Sequence, residues 1–434
     1  MPQCGVMRAS DLGPYPEAPG YDEALSLDDA DPLGGYRDRF VHSDDDTIYL
    51  DGNSLGRLPT ATPGLMDEVT RQQWGDRLIQ SWNESWWDLQ VRLGDKLAPL
   101  LGAGEGEVLV SDSTSLNLYK LAMAALSAAP PGRRRIVTDD LNFPSDIYIL
   151  DSVASAHGGE LVIVPSDGVN GPVEGLADAI DGSLALLSLS HTTYASGYTY
   201  DVAGLSRVAR DAGALTLWDC SHSVGAMPID LTAWGVDLAV GCTYKYLNGG
   251  PGSPAFLYVR RELIEMLPSP IPGWWAHAEP FEFALDFAPG GDIRKFHVGT
   301  MPILSLAAIE PGLDIALSAG PVSSRRKSIA LTSYLIDQWR EHLRPLGFEI
   351  ASPMDPERRG SHISLRHPMA WPINRAMIED VQVVPDFRKP DNLRLGLAPL
   401  YTRYVDVHTA VQRIRRVVTE GLHHDHLDDE AHVT

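Results

Sequence analysis

Between residues 107 and 259 the chain alternates short apolar runs with stretches of helical spacing, and nothing else in it constrains the fold as strongly. The runs are 108–111, 135–138, 161–164, 184–189, 214–219, 238–241 and 255–259. Helical spacing fills most gaps, as at 116–128, 145–157 and 202–212. Parallel strands need crossovers of about a dozen residues, usually a helix. Repeated β-α units therefore predict an α/β fold with a mostly parallel, seven-stranded, doubly covered sheet. One connection departs from this rule. Residues 243–254 are too short and glycine-rich for a crossover helix, so the last strand should return antiparallel. The residues just after 238–241 then lie at the carboxyl edge of the sheet, where open α/β sheets put ligand sites.

That position is occupied by Gly241-Cys242-Thr243-Tyr244-Lys245-Tyr246-Leu247-Asn248-Gly249-Gly250-Pro251-Gly252. The preceding apolar run ends in Asp219, with His222 close behind. A lysine and an aspartate at the ends of neighbouring strands are what a pyridoxal-phosphate enzyme needs. The amine joins the cofactor aldehyde, and the carboxylate keeps the pyridine nitrogen protonated. The bland alternative is a surface lysine after a core strand and an aspartate capping a helix. Asp112-Ser113-Thr114-Ser115 opens a helix after a strand and makes either a phosphate cradle or an ordinary N-cap. Asn142-Phe143-Pro144-Ser145-Asp146 and Ser190-His191-Thr192-Thr193 end two further strands on the same edge. Phe143 could stack on a cofactor ring, and Asp146 and Ser190 could add polar contacts. Arg394 lies within an apolar strand and needs an anion, either a substrate carboxylate or an internal acid. The clusters Trp82-Asn83-Glu84-Ser85-Trp86-Trp87 and Trp274-Trp275 read as core or as aromatic pocket walls.

Outside this region the organisation is simpler. Residues 1–60 read as an N-terminal arm with a helical patch near 21–27 and a short strand at 47–50. Residues 61–305 read as the large domain, 306–420 as a smaller α+β domain and 421–434 as a disordered, histidine-rich tail. Helices are expected at 65–78, 89–101, 303–319, 325–343, 372–378 and 407–419. Strands of the small domain are expected at 361–365, 381–385 and 393–397. The formal charge of −23 argues against nucleic acid or an anionic membrane surface as partner. Three cysteines without metal-ligand spacing suggest a reducing compartment and no metal site. No secretory h-region or bilayer-length apolar run is visible, so a cytoplasmic location is expected.

Several motifs, in this order, resemble kynureninase of the bacterial type. They are Leu50-Asp51-Gly52-Asn53-Ser54-Leu55-Gly56, Phe143-Pro144-Ser145-Asp146, Cys242-Thr243-Tyr244-Lys245-Tyr246-Leu247-Asn248, Gly273-Trp274 and Ala398-Pro399-Leu400-Tyr401. The resemblance implies the aspartate-aminotransferase fold (type I of the pyridoxal-phosphate enzymes) and a homodimer with active sites at the subunit interface. It also implies hydrolysis of L-kynurenine to anthranilate and L-alanine, a step of tryptophan degradation. Lys245 would hold the cofactor and Asp219 would face its ring nitrogen. Thr114, Ser115, Tyr244 and Trp274 would surround the phosphate, and Phe143 would stack on the ring with Asp146, Ser190, His222 and Thr300 nearby. Arg394 would receive the substrate carboxylate, with Ser54, Trp82, Gly299 and Thr300 lining the substrate site. Trp82 and Thr300 follow the bacterial pattern, which implies L-kynurenine rather than its 3-hydroxy derivative, and Tyr244 is a proton-donor candidate. Two departures are Cys220-Ser221 before His222, where Leu-Ala is common, and Trp275 in place of a usual Phe. A substituted kynurenine is the alternative substrate. A cysteine desulfurase-like reaction is disfavoured, because no cysteine lies beyond position 242. A catalytically silent binding protein is disfavoured by the intact lysine, aspartate and arginine.

Overall fold

In the computed structural model residues 20–42 and 46–427 are described. The start of the arm with Cys4, and the tail beyond residue 427, lie outside them. A short strand, β1 (Ile48–Tyr49), precedes the large sheet. That sheet is built from β2 (Val108–Val110), β3 (Arg135–Asp139), β4 (Glu160–Val164), β5 (Leu184–Ser190), β6 (Leu215–Asp219), β7 (Leu238–Gly241) and β8 (Phe256–Val259). Its order is β2-β8-β7-β6-β5-β3-β4. β8 runs antiparallel to both neighbours, β2 and β7, and every other pairing is parallel.

The sequence explains this arrangement locally. All seven residues of β5 are buried, as a central strand covered on both faces requires. Ser113 caps the helix Thr114–Ala128 by accepting from Leu116 N–H, and Pro144 opens the helix Pro144–Ala156, where its missing N–H costs nothing. Gly102, at φ 59°, closes the helix Leu89–Leu101. The turn after β7 is held by Thr243, whose hydroxyl lies 2.6 Å from Ser253 Oγ and donates to the Pro254 carbonyl at 2.7 Å. Two apolar cores form, one centred on Trp218, Tyr258 and Leu247, the other on Leu121, Ile136 and Leu257.

The second layer of the molecule is a four-stranded antiparallel sheet from β9 (Glu349–Ile350), β10 (His362–Arg366), β12 (Asp386–Arg388) and β13 (Asn392–Gly396). Its order is β12-β13-β10-β9. β11 (Val383–Val384) pairs in parallel with β1, and Ile48 and Leu50 are buried in the same core as Ile363 and Leu395. The arm is thus built into the smaller domain's core.

Several elements differ from expectation. Helix 303–319 is broken into Ile303–Ala307 and Glu310–Ala319, because Pro311 cannot donate into a continuous helix. Helix 65–78 becomes Thr62–Glu68 followed by π-helical turns over Val69–Asp76. The run 381–385 divides into β11 and a separate β12 beyond Pro385. The start of the supposed disordered tail is ordered, since Leu422–His426 forms a 3-10 turn. Buried His423 bonds the Val417 carbonyl at 3.1 Å, and His426 lies 3.0 Å from an Asp380 carboxylate oxygen.

Candidate active site

Strand register brings the chemistry-bearing residues to one edge. Ser190 pairs with Asp219, and Asp219 with Val240, so β5, β6 and β7 end side by side. The loops after them deliver His222, Tyr244 and Lys245. Those residues converge with Asn53, Ser54, Phe143, Arg388 and Arg394 on a cavity of about 140 Å³.

Lys245 Nζ lies 3.2 Å from His222 Nε2 and 6.0 Å from the Tyr244 ring centroid. His222 is buried, and burial together with the Lys245 charge holds its imidazole well below its ordinary pKa, so it stays neutral. Burial raises the Asp219 carboxyl, whereas Lys245 and the Ser221 N–H, donating at 2.7 Å, favour its charge. Asp146 is pushed up further, by burial and then by Asp219. Of these two acids Asp146 is raised the more, because Asp219 repels its charge, whereas the Ser221 N–H favours the charge of Asp219. Oδ2 of Asp146 is buried with no hydrogen-bond partner. Ser190 Oγ donates to Asn142 Oδ1 at 2.7 Å. Phe143 is 40% exposed and meets Tyr194 edge-on at 5.1 Å. The phenol of Tyr244 is raised by the neighbouring Cys242 thiol and by burial, so Tyr244 keeps its proton.

The opening motif is clamped against the lysine loop by close backbone approach. Gly56 N–H donates to the Tyr244 carbonyl at 2.7 Å. A Cβ on Gly56 would lie 2.3 Å from the Lys245 carbonyl, and one on Gly396 would lie 1.9 Å from Asn53 Oδ1. These glycines hold Asn53 and Ser54 at the cavity.

Arg394 is fully buried, which pushes its guanidinium down to about 10. It already has an internal acid: Nη2 pairs with Asp386, and Nη1 donates to the Tyr194 carbonyl at 2.6 Å. Nη2 also reaches Ser54 Oγ at 3.2 Å, and Ser54 in turn donates to Asp386 at 3.0 Å. The other oxygen of Asp386 pairs with Arg388 at 2.8 Å. Sequence reasoning missed Asn53, Asp386 and Arg388. Asp386 and Arg388 are two apart on β12 and so share a face, with Asp386 paired to Arg394 in the β12–β13 register. That spacing was the available signal.

The remaining expected site residues lie elsewhere. Thr114 and Ser115 occupy the first turn of their helix, half-buried, outside this cavity lining. Trp82, Trp274 and Thr300 line a second, aromatic cavity of about 360 Å³ together with Trp87, Trp275 and Phe281. Trp87 stacks on Trp275 at 4.6 Å. Gly299 adjoins Thr300 in sequence and is half-buried. Cys220 and Cys242 are buried, and among the described residues no cluster of His, Cys, Asp and Glu could hold a metal.

A family profile for the kynureninase C-terminal domain matches residues 324–414. Kynureninase from Pseudomonas fluorescens is 41% identical over 402 residues, spanning 91% of this chain and 95% of that protein. Kynureninase from Burkholderia pseudomallei is 41% identical over 405 residues, spanning 92% and 95%. Among solved structures, cysteine desulfurases share the fold. The Thermococcus onnurineus enzyme has a TM-score of 0.75 at 20% identity over 87% of this chain and 96% of its own. The Escherichia coli enzyme has a TM-score of 0.76 at 19% identity, over 89% and 98%. With relatives this similar along nearly its whole length, and with Lys245 and Asp219 at one edge of the large sheet and Arg394 reaching the lysine's cavity from the smaller sheet, the chain belongs to the kynureninase family.

Proposed function

We propose that the protein hydrolyses the Cβ–Cγ bond of L-kynurenine, giving anthranilate and L-alanine, with pyridoxal 5′-phosphate as cofactor and Lys245 as the residue that holds it. The observation that carries this reading is the Lys245–His222–Asp219 arrangement in a chain 41% identical to named kynureninases. The residues fit the cofactor: an amine, a carboxylate at the end of the neighbouring strand, a buried Asp146 oxygen without a partner, and a half-exposed aromatic at the cavity rim. Thr114 and Ser115, at the N-terminus of a 15-residue helix, are the phosphate-binding residues of this assignment.

When bound, pyridoxal phosphate supplies an electron sink to the substrate's amine-bearing carbon. Asp219 would pair with the protonated ring nitrogen, and Phe143 would pack against the ring. Lys245 Nζ would take the substrate's Cα proton, and neutral His222, 3.2 Å away, would accept a hydrogen bond from the ammonium that results. Ser190 and Asp146 orient the ring's oxygen side. Water adds at the γ-carbonyl, the Cβ–Cγ bond breaks with its electron pair on Cβ, and anthranilate leaves with the added oxygen. Tyr244, which keeps its phenolic proton, would deliver it to Cβ, and Lys245 would return to Cα the proton that it took, so that alanine departs.

The protein acts as a homodimer in the cytoplasm. Support for the dimer is an exposed apolar surface carrying Trp74, Leu78, Ile79, Phe281, Phe283 and Leu285, with Ile79 75% exposed, next to the aromatic cavity that holds Trp82, Trp274 and Thr300. A partner covering that surface brings those residues into a composite site. Among the described residues no single helix is long and apolar enough to cross a membrane. Among the described residues a desulfurase reaction has no accessible thiol, since Cys220 and Cys242 are 1% and 2% exposed. The test is product analysis: equal amounts of fluorescent anthranilate and L-alanine should form from L-kynurenine. Absence of either product would refute the reading.

A further inference from the structure

The cavity beside Lys245 contains a second arginine whose place there has no structural explanation so far. Arg394 reaches the cavity with both terminal nitrogens engaged: Nη1 on the Tyr194 carbonyl at 2.6 Å, Nη2 on Asp386 and on Ser54 Oγ. Only its Nε is buried without a partner. A bidentate fork from Arg394 alone would have to displace Asp386. Arg388 lines the same cavity, and its Nη1 is held by Asp386 at 2.8 Å and the Phe387 carbonyl at 3.0 Å. Among the described residues no acceptor lies within hydrogen-bond distance of its Nε or Nη2. Asp51 acts on both guanidiniums electrostatically but forms no ion pair with either, and burial raises its carboxyl towards the neutral form. Among the described residues Asp386 is the one acid that forms an ion pair with either arginine, and it serves both.

We infer that Arg388 is a second carboxylate-binding residue: the substrate carboxylate lies between Arg394 Nε and the Arg388 guanidinium, with Asp386 as the positioning residue that aims both. The assignment rests on the functional reading above and sharpens it. A carboxylate is the ligand that two guanidiniums sharing one acid accept, and two donors from different strand positions fix its orientation better than one terminal pair. Because β12 presents Asp386 and Arg388 on one face, the same strand that compensates Arg394 supplies its partner.

The test replaces Arg388 by methionine in the cofactor-loaded enzyme, which keeps the stem packing and removes the charge. Arg388→Met should raise KM for L-kynurenine, and the dissociation constant for L-alanine read from the cofactor's visible spectrum, by roughly tenfold to a hundredfold. Inhibition by the decarboxylated amine of kynurenine, which lacks the carboxylate, should change less than twofold. Arg388→Lys should recover only part of the loss. Unchanged KM and L-alanine binding would overturn the inference, as would equal weakening of the carboxylate-free amine, which marks a merely structural role. If the wild-type enzyme releases no anthranilate, the functional reading fails, and the L-alanine titration still decides the role of Arg388.

Discussion

Gly56→Ala probes the contact between the opening motif and the lysine loop. The added Cβ would sit 2.3 Å from the Lys245 carbonyl and 2.3 Å from Asn248 Oδ1, against an ordinary contact of 3.4 Å or more. The Asn248 side chain can swing aside, but the carbonyl belongs to the backbone of the turn and must move by about 1 Å. Overpacking of this kind costs about 1–3 kcal/mol, and weakening the Gly56 N–H bond to Tyr244 adds about 0.5–1.5 kcal/mol. With an unfolding entropy of about 2.1 cal/mol/K per residue, a chain of 434 residues loses roughly 2–5 °C in Tm. The effect on catalysis is larger, because a 1 Å misplacement of a reacting group costs up to about a hundredfold. Thermal unfolding of the loaded enzyme and steady-state anthranilate release measure both quantities. Gly182→Ala is the control, since a Cβ there meets nothing within 4 Å. A Gly56→Ala enzyme with Tm within 1 °C and kcat within about twofold of wild type would refute the clamp.

Two further outcomes concern stability and assembly. Burial pushes His191 and His362 down to about 3, below the unfolded value near 6.5. A depressed histidine contributes stability that is present above pH 6.5 and lost as pH falls, so going from pH 7 to 5 costs about 2 kcal/mol per ring. His362→Gln should flatten the decline of Tm over that range, and an unchanged slope would remove His362 from the cause. Ile79→Asp puts a charge in the exposed apolar surface and should turn the dimer into monomers with a large loss of activity. A dimer of full activity by light scattering would place the subunit interface elsewhere.

The large sheet was legible because each of its strands is an apolar run bounded by turn residues, and because 243–254 is too short for a helix. Lys245, Asp219 and His222 could be placed together from strand ends alone, since the carboxyl edge of a parallel sheet is a consequence of the alternation. What could not be read was anything set by contacts between distant segments. The anion for Arg394 comes from β12, a three-residue strand hidden behind Pro385, and the same strand carries Arg388 into the cavity. Trp82, Trp274 and Thr300 carry no sequence signal that separates their cavity from that of Lys245, because the separation arises from the loop-rich segment 260–305 folding against residues 79–87. The histidine-rich turn at Leu422–His426 looked solvated by composition, but Val417 and Asp380 give its rings partners.

The central claim is that Lys245 holds the cofactor and takes the Cα proton in kynurenine cleavage. Its most direct measurement compares wild type with Lys245→Ala, recording visible absorbance of the purified protein and anthranilate fluorescence after addition of L-kynurenine. The wild-type enzyme should be yellow and release anthranilate, and the variant should lack both the lysine-linked absorbance and turnover. A variant that keeps that absorbance band, or still releases anthranilate at the wild-type rate, would contradict it.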